Sequence, residues 1–214
     1  MPKRSPGEIE ERPRKIKRRA AEILAGAAKV FARRGYHGAS TQDIADVLGV
    51  RQASLYYYFD SKEAALEAVC TEGLADYATR AQVIKRGPGS ASDKVAKLLL
   101  QHLSPAVERQ EFSLVFLRER RFLPKPARER VRTQERRYER IIQNIIAQGV
   151  ASGEFRADLD PRMATLALLG LGNSAVTWYG REPGATFERI MSNYIALLVR
   201  AFRKGGTPKL RVAH

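Results

Sequence analysis

Apolar residues recur at intervals of three and four along most of the chain. Ile23, Leu24, Ala27, Val30 and Phe31 share one face, which predicts a helix from about Arg14 to Arg34, stopped by Gly35. Further helices are predicted over 61–84, 92–109 and 112–122. Leu123-Pro124-Lys125-Pro126 ends the last of these, and Pro126 opens a long helix to about Ser152 that Gly153 closes. Asp160-Pro161 reads as an N-cap followed by proline at the first helical position, opening a helix to about Trp178. The final helix runs from about Thr186 to Lys204, with Phe187, Ile190, Met191, Tyr194, Ile195, Leu198, Ala201 and Phe202 along its stripe. No stretch alternates with period two and no hairpin dipeptide occurs, so the fold class is all-α. A small N-terminal bundle of three helices precedes a larger helical domain, and no internal repeat is visible.

Between the first two long helices lies a stretch of a different kind, Ser40 to Phe59. It parses as two very short helices joined by a tight turn. Ser40 and Asp43 have the spacing of a capping box, and Ile44, Val47 and Leu48 are expected to face inward. Gly49 can take the left-handed conformation of the corner, and Val50 can plug it. Leu55 and Phe59, four apart, hold the second helix to the core and leave Gln52, Ala53, Ser54, Tyr56 and Tyr57 outward. Helices this short need tertiary support, expected from Val30 and Phe31. That is a helix-turn-helix, whose second helix offers polar side chains to the major groove of DNA. The phenols of Tyr56, Tyr57 and Tyr58 and the ammonium of Lys62 are groups that hold phosphate oxygens.

Four segments follow: a flexible basic arm over 1–13, a DNA-binding domain over 14–62, a larger domain over 63–204 and a flexible tail over 205–214. Charge supports the anionic partner, since 38 Lys and Arg face 23 Asp and Glu, a formal net charge of +15. Residues 1–20 carry eight basic and three acidic residues, suited to tracking phosphates or entering the minor groove, or simply to keeping a tail soluble. The lone Cys70 excludes an intrachain disulfide, and three scattered histidines offer no metal-ligand spacing, so neither a metal nor a cofactor is expected. The first twenty residues contain no apolar run of the signal-peptide type, and the longest apolar stretch, Met163 to Gly172, falls short of the roughly 20 residues of a membrane span. A cytoplasmic protein without a membrane partner is the expectation.

At this point the chain resembles the TetR family of bacterial transcriptional regulators. The resemblance rests on Phe31, Gly35, Thr41, Ile44, Ala45, Gly49, Val50, Leu55, Tyr56, Phe59, Lys62 and Glu63, spread over about residues 17–69. It implies a homodimer that binds a palindromic duplex operator, most often as a repressor, and is released by a small-molecule effector. Thr41, Tyr56 and Lys62 would hold phosphates, Gln52, Ala53 and Ser54 would lie against base edges, and Tyr57 and Tyr58 would flank them. Arg51 stands where serine is usual and Tyr58 where histidine is usual, so the sequence preference of relatives does not transfer.

A second basic block lies far from this motif. Ten basic and four acidic residues occur between Arg118 and Arg140, which reads either as a solvated helix face or as a surface for an anionic ligand. Leu99, Leu103, Phe112, Phe116, Tyr138 and Ile142 can line an effector cavity, with Arg120 and its neighbours at the mouth. His102 and Asn173 are polar residues in apolar helices, serving a core hydrogen bond or orienting the ligand, and Trp178 closes the set. The stretch Gln148 to Asp160, with Trp178-Tyr179, is similar to family members tied to fatty-acid or sterol breakdown, which implies an acyl-CoA thioester as effector. The alternatives are an uncharged hydrophobic ligand, as in regulators of efflux genes, or an architectural protein binding DNA without sequence preference. The last two helices are apolar enough to be covered from more than one side, either inside the monomer or, as the family resemblance implies, against a second copy, with Leu166, Leu169, Gly170, Tyr194 and Leu198 at a twofold interface. An enzyme would need a nucleophile with a paired base, or a metal or phosphate motif, and no catalytic residue can be named.

Overall fold

The computed structural model describes the backbone of residues 6–205 and the side chains from Lys17 onward, Ala106 excepted. Among the described residues ten α-helices follow one another: α1 (Pro6–Gly38), α2 (Thr41–Leu48), α3 (Gln52–Leu55), α4 (Lys62–Gly73), α5 (Tyr77–Arg86), α6 (Ala91–Glu108), α7 (Gln110–Glu119), α8 (Lys125–Ala151), α9 (Pro161–Trp178) and α10 (Phe187–Phe202). A 3-10 turn, Arg120–Phe122, separates α7 from α8. Among the described residues the only β-pairing is an isolated bridge between Phe155 and Arg203. No helix of the described residues is long and apolar enough to cross a membrane.

The chain forms two compact units. The first holds residues up to Gly73 and takes back Glu111–Val131; the second holds Leu74–Gln110 and the residues from Arg132 on. Compactness thus draws the first unit wider than 14–62. Its core is built from Ile23, Ala27, Val30 and Phe31 of α1, Ile44 and Ala45 of α2, Leu55 of α3 and Ala65, Leu66, Val69 and Cys70 of α4. Phe112, Val115, Leu123, Ala127 and Val131, from the returning segment, are also buried. In the second unit Leu98, Leu99 and Leu103 of α6, Ile142, Ile145 and Ile146 of α8, Phe155 of the α8–α9 connection and Leu168 of α9 form one cluster, with Met191, Leu198 and Phe202 of α10 in it.

Three expectations are corrected here. Residues 6–13, expected in a flexible arm, are helical, and Pro6 occupies the first helical position, where its missing N–H costs no intrahelical bond. Pro13 is carried inside α1 without a backbone donor. Residues 1–5 of that arm, and 206–214 of the expected tail, lie outside the described residues. The helix expected over 61–84 is two, because Asp76 takes a left-handed backbone (φ 65°) between them, a conformation a short polar side chain tolerates. Val47, expected to face inward, is 48% exposed, because the inward face of α2 centres on Ile44 and Ala45.

The second unit is closed by a clasp. Glu154, in the α8–α9 connection, accepts hydrogen bonds from the backbone N–H of Ala91 and Ser92, at 2.7 and 2.8 Å, at the start of α6. Next to it, Arg156 N–H reaches Phe202 O and its Nε reaches Ala201 O, around the buried Phe155 ring. Burial alone would raise the Glu154 pKa, but the hydrogen bonds from Ser92 and Ala91 outweigh it and hold the pKa below the usual carboxylate range. A carboxyl with a lowered folded pKa contributes stability above its unfolded pKa and loses it as the pH falls through the folded one. Glu154→Gln therefore lowers the melting temperature at pH 7, and the gap to the unaltered protein closes in acid; a gap independent of pH would contradict this.

Candidate nucleic-acid interface

The helix-turn-helix is fixed by local chemistry at both ends of α2. Ser40, in extended backbone, accepts from the Asp43 N–H while the Asp43 carboxylate accepts from the Ser40 N–H, a complete capping box. Arg34 pairs with the same carboxylate and ties the cap to α1. Its hydrogen bonds with Ser40 first, then the Arg34 charge, hold Asp43 below the usual carboxylate range. At the other end Gly49 adopts the left-handed conformation (φ 63°, ψ 33°) that turns the chain, and Val50 N–H bonds to Ala45 O at 3.0 Å.

α3 is a single turn, and its one buried side chain is Leu55. Arg51 occupies its N-cap position in extended backbone with no side-chain cap bond. Around Leu55 the other residues point outward: Arg51, Ala53 and Ser54 are exposed, as are Tyr56 at 50% and Tyr57 at 84%. Tyr58 is half-buried and meets the Tyr57 ring edge-on at 5.3 Å. Gln52 is half-buried, and its Nε2 donates to Thr41 Oγ1 at 2.7 Å. One guanidinium, three phenols, two hydroxyls and an amide are thus gathered on one short corner, a set of groups that can meet phosphates and base edges in duplex DNA.

Lys62, expected at a phosphate, has partners within the protein. Its Nζ donates to Tyr36 O and Ala39 O, both at 3.0 Å, and lies 4.3 Å above the Tyr36 ring. The ammonium holds the carbonyls at the end of α1. Gly35 is legible in the sequence as a helix stop; what the sequence does not show is that its backbone (φ 68°, ψ 170°) brings Tyr36 to the start of α4, where it meets Lys62 and Glu63.

The candidate effector residues fall into both units. Phe112, Phe116 and Arg120 belong to the first. There the Arg120 guanidinium lies 4.6 Å over the Phe116 ring and donates to Phe116 O at 3.1 Å. Leu99, Leu103, Tyr138 and Ile142 are buried together in the second, and Trp178 packs partly against the same cluster, 6.4 Å from the Tyr194 ring. His102 Nε2 donates to Asn173 Oδ1 at 3.1 Å, leaving Nδ1 to accept a long 3.5 Å contact from Tyr138 OH. The imidazole is stacked on Tyr138 and edge-on to Tyr77. Burial lowers its pKa to about 4, against the opposing hydrogen bond of Asn173. Sequence reasoning did not reach Gln101, whose Nε2 donates to Tyr77 O.

Of the residues expected at a twofold interface, Leu166 is 41% exposed, Gly170 is exposed, and Leu169 and Tyr194 are half-buried. Leu198 is 5% exposed and sits in the core of its own unit, so it has little surface left for a second copy. On the same helix Leu197 is exposed instead.

Residues 23–69 match the family model of bacterial regulatory proteins of the tetR family, and residues 88–202 match that of the tetracyclin repressor-like C-terminal domain. The chain is 29% identical over 183 residues to the HTH-type transcriptional repressor KstR2 of Mycolicibacterium smegmatis, covering 85% of this chain and 89% of that protein. It is 25% identical over 179 residues to the fatty acid metabolism regulator protein of Bacillus subtilis, covering 83% and 92%. Among solved structures it is similar to the transcriptional regulator FadR from Bacillus subtilis in complex with stearoyl-CoA, with a TM-score of 0.71, 25% identity and coverage of 88% and 99%.

Two outcomes follow from these contacts. Lys62→Ala lowers the thermal stability by about 1–2 kcal/mol, because it frees two carbonyls from a charged donor; an unchanged melting temperature with lost DNA binding would mean that the ammonium serves DNA instead. For His102 the folded pKa lies below the ordinary value of 6.5, so the unfolded chain binds a proton that the folded chain refuses. Stability contributed by the neutral ring is therefore lost as the pH falls from 6.5 toward about 4. In denaturant titrations His102→Gln removes the part of that loss seen between pH 6.5 and about 5; an identical pH profile in both proteins would contradict it.

Proposed function

The chain belongs to the TetR family of bacterial regulatory proteins, and from that membership we propose that it is a cytoplasmic transcriptional repressor that binds a palindromic DNA operator as a homodimer and is released by an acyl-CoA thioester. The observation that carries the DNA-binding part is the outward face of residues 51–58, presented by a corner capped at both ends and anchored by Leu55. A helix-turn-helix reads one half-site, and a twofold pair of them reads a palindrome.

The effector class is supported by the Bacillus subtilis relative described as a fatty acid metabolism regulator protein and by the solved FadR structure in complex with stearoyl-CoA. The second unit has matching chemistry. Its core is rich in aliphatic and aromatic side chains, and Arg132, Arg136, Arg137 and Arg140 are exposed along α8, a cationic face suited to the phosphates of coenzyme A. Self-association is supported by Met163 and Leu166 on α9 and Leu197 on α10, large apolar side chains left exposed.

Selection from random duplexes recovers one palindrome, and Tyr57→Ala weakens binding to it by about tenfold or more. Stearoyl-CoA or a shorter acyl-CoA then releases the DNA, whereas free coenzyme A does not. Equal binding to every duplex would overturn the regulator reading; release by an uncharged hydrophobic compound but by no acyl-CoA would overturn the effector class alone.

A further inference from the structure

The bond between Gln52 and Thr41 has a consequence for base readout, and the inference drawn from it rests on the DNA-binding reading above. A side-chain amide has two unlike ends, a donor and an acceptor. Gln52 turns its donor end toward Thr41, with Nε2 2.7 Å from Oγ1, so its carbonyl oxygen is directed away from Thr41. Gln52 is the first residue of α3, beside the exposed Ala53 and Ser54, on the turn that Leu55 holds against the core.

In the major groove adenine and cytosine each present an exocyclic amino donor, while guanine and thymine present carbonyl acceptors at the corresponding place. A carbonyl oxygen facing that place accepts from the first pair and is repelled by the second. Thr41 sets this polarity through the single proton of its hydroxyl. While Oγ1 accepts from Gln52, its O–H is free to donate to a phosphate oxygen. Were the amide reversed, that proton would be taken by the Gln52 carbonyl and lost to the phosphate. We infer that Thr41 is a positioning residue for base readout, fixing Gln52 so that it selects an amino-bearing base, adenine or cytosine, at one position of each half-site. The bonds run in one direction: base N–H to Gln52 Oε1, Gln52 Nε2–H to Thr41 Oγ1, and Thr41 O–H to phosphate. Each bond polarises the next, so backbone contact and base choice strengthen together.

The test is selection from randomised duplexes with the full chain and its Gln52→Ala, Thr41→Val and Thr41→Ser variants, each first shown to retain its melting temperature. Gln52→Ala identifies the position that Gln52 reads. There the unaltered protein favours adenine or cytosine over guanine or thymine by about tenfold or more. Thr41→Val brings that preference below about threefold, and Thr41→Ser, which keeps the hydroxyl, restores it. A guanine or thymine preference at that position overturns the inference. So does a Thr41→Val variant that binds all sequences more weakly while keeping the adenine or cytosine preference, the signature of a phosphate contact alone. Failure to recover any palindrome with the unaltered protein overturns the regulator reading itself, which separates the two failures.

Discussion

Tyr36 is where the recognition unit is tied together. Its hydroxyl donates to Glu63 at the start of α4, its N–H donates to Glu119 at the end of α7 at 2.8 Å, and its carbonyl accepts from Lys62. Its ring stacks on Phe122 at 5.8 Å. Burial first, and then the hydrogen bond and charge of Glu63, push its hydroxyl up to about 12, while the same bond holds Glu63 below the usual carboxylate range. These contacts exist because Gly35 breaks α1 with a left-handed residue and brings Tyr36 round to meet three other segments. They fix the end of α1 against α4 and the returning segment, and α2 and α3, too short to stand alone, are held on that frame through Phe31, Ile44 and Leu55. The exposed face of residues 51–58 is carried on that frame through Leu55.

Positive charge is divided between structure and recognition. Lys62 donates to two carbonyls, Arg34 pairs with a capping carboxylate at the surface, and Arg130 forms a two-pronged pair with Glu67, at 2.6 and 2.7 Å, that joins α8 to α4 within the first unit. The net charge of +15 is therefore not all available to an anionic partner. On the second unit Arg162 is paired with Glu139 at 2.6 Å, whereas Arg136, Arg137 and Arg140 line an exposed face of α8. The two basic regions differ in kind. One is a short corner of mixed donors, suited to reading a groove; the other is a row of guanidinium groups, suited to phosphate without base readout.

What the sequence made legible was local. The Ser40 and Asp43 box, the left-handed Gly49, the Asp160-Pro161 cap and the stop at Gly35 each depend on residues within a few positions of one another, and each stands in the structure as the pattern predicts. What stayed hidden depends on partners distant in the chain. Glu154 reaches a helix start more than 60 residues away, and Glu119 reaches Tyr36 across 83 positions. For Lys62, nothing nearby in the sequence shows that the hook at Gly35 brings two carbonyls to its ammonium. Leu198 lies on the apolar stripe of α10 with Tyr194 and Phe202, and sequence periodicity cannot divide one stripe between a core and a surface. In the recognition corner Leu55 alone defines the inner side of so short a helix, and Gln52, read as outward, is half-buried because its amide bonds to Thr41.

Hydrogen exchange with and without the selected palindrome, at a salt concentration near physiological, tests most directly whether this corner meets DNA. The account predicts new protection concentrated in residues 40–60, centred on the segment from Arg51 to Tyr58, with little change along α8. Protection that falls instead on the arginine face around residues 132–140, with 51–58 exchanging as in the free protein, would contradict it.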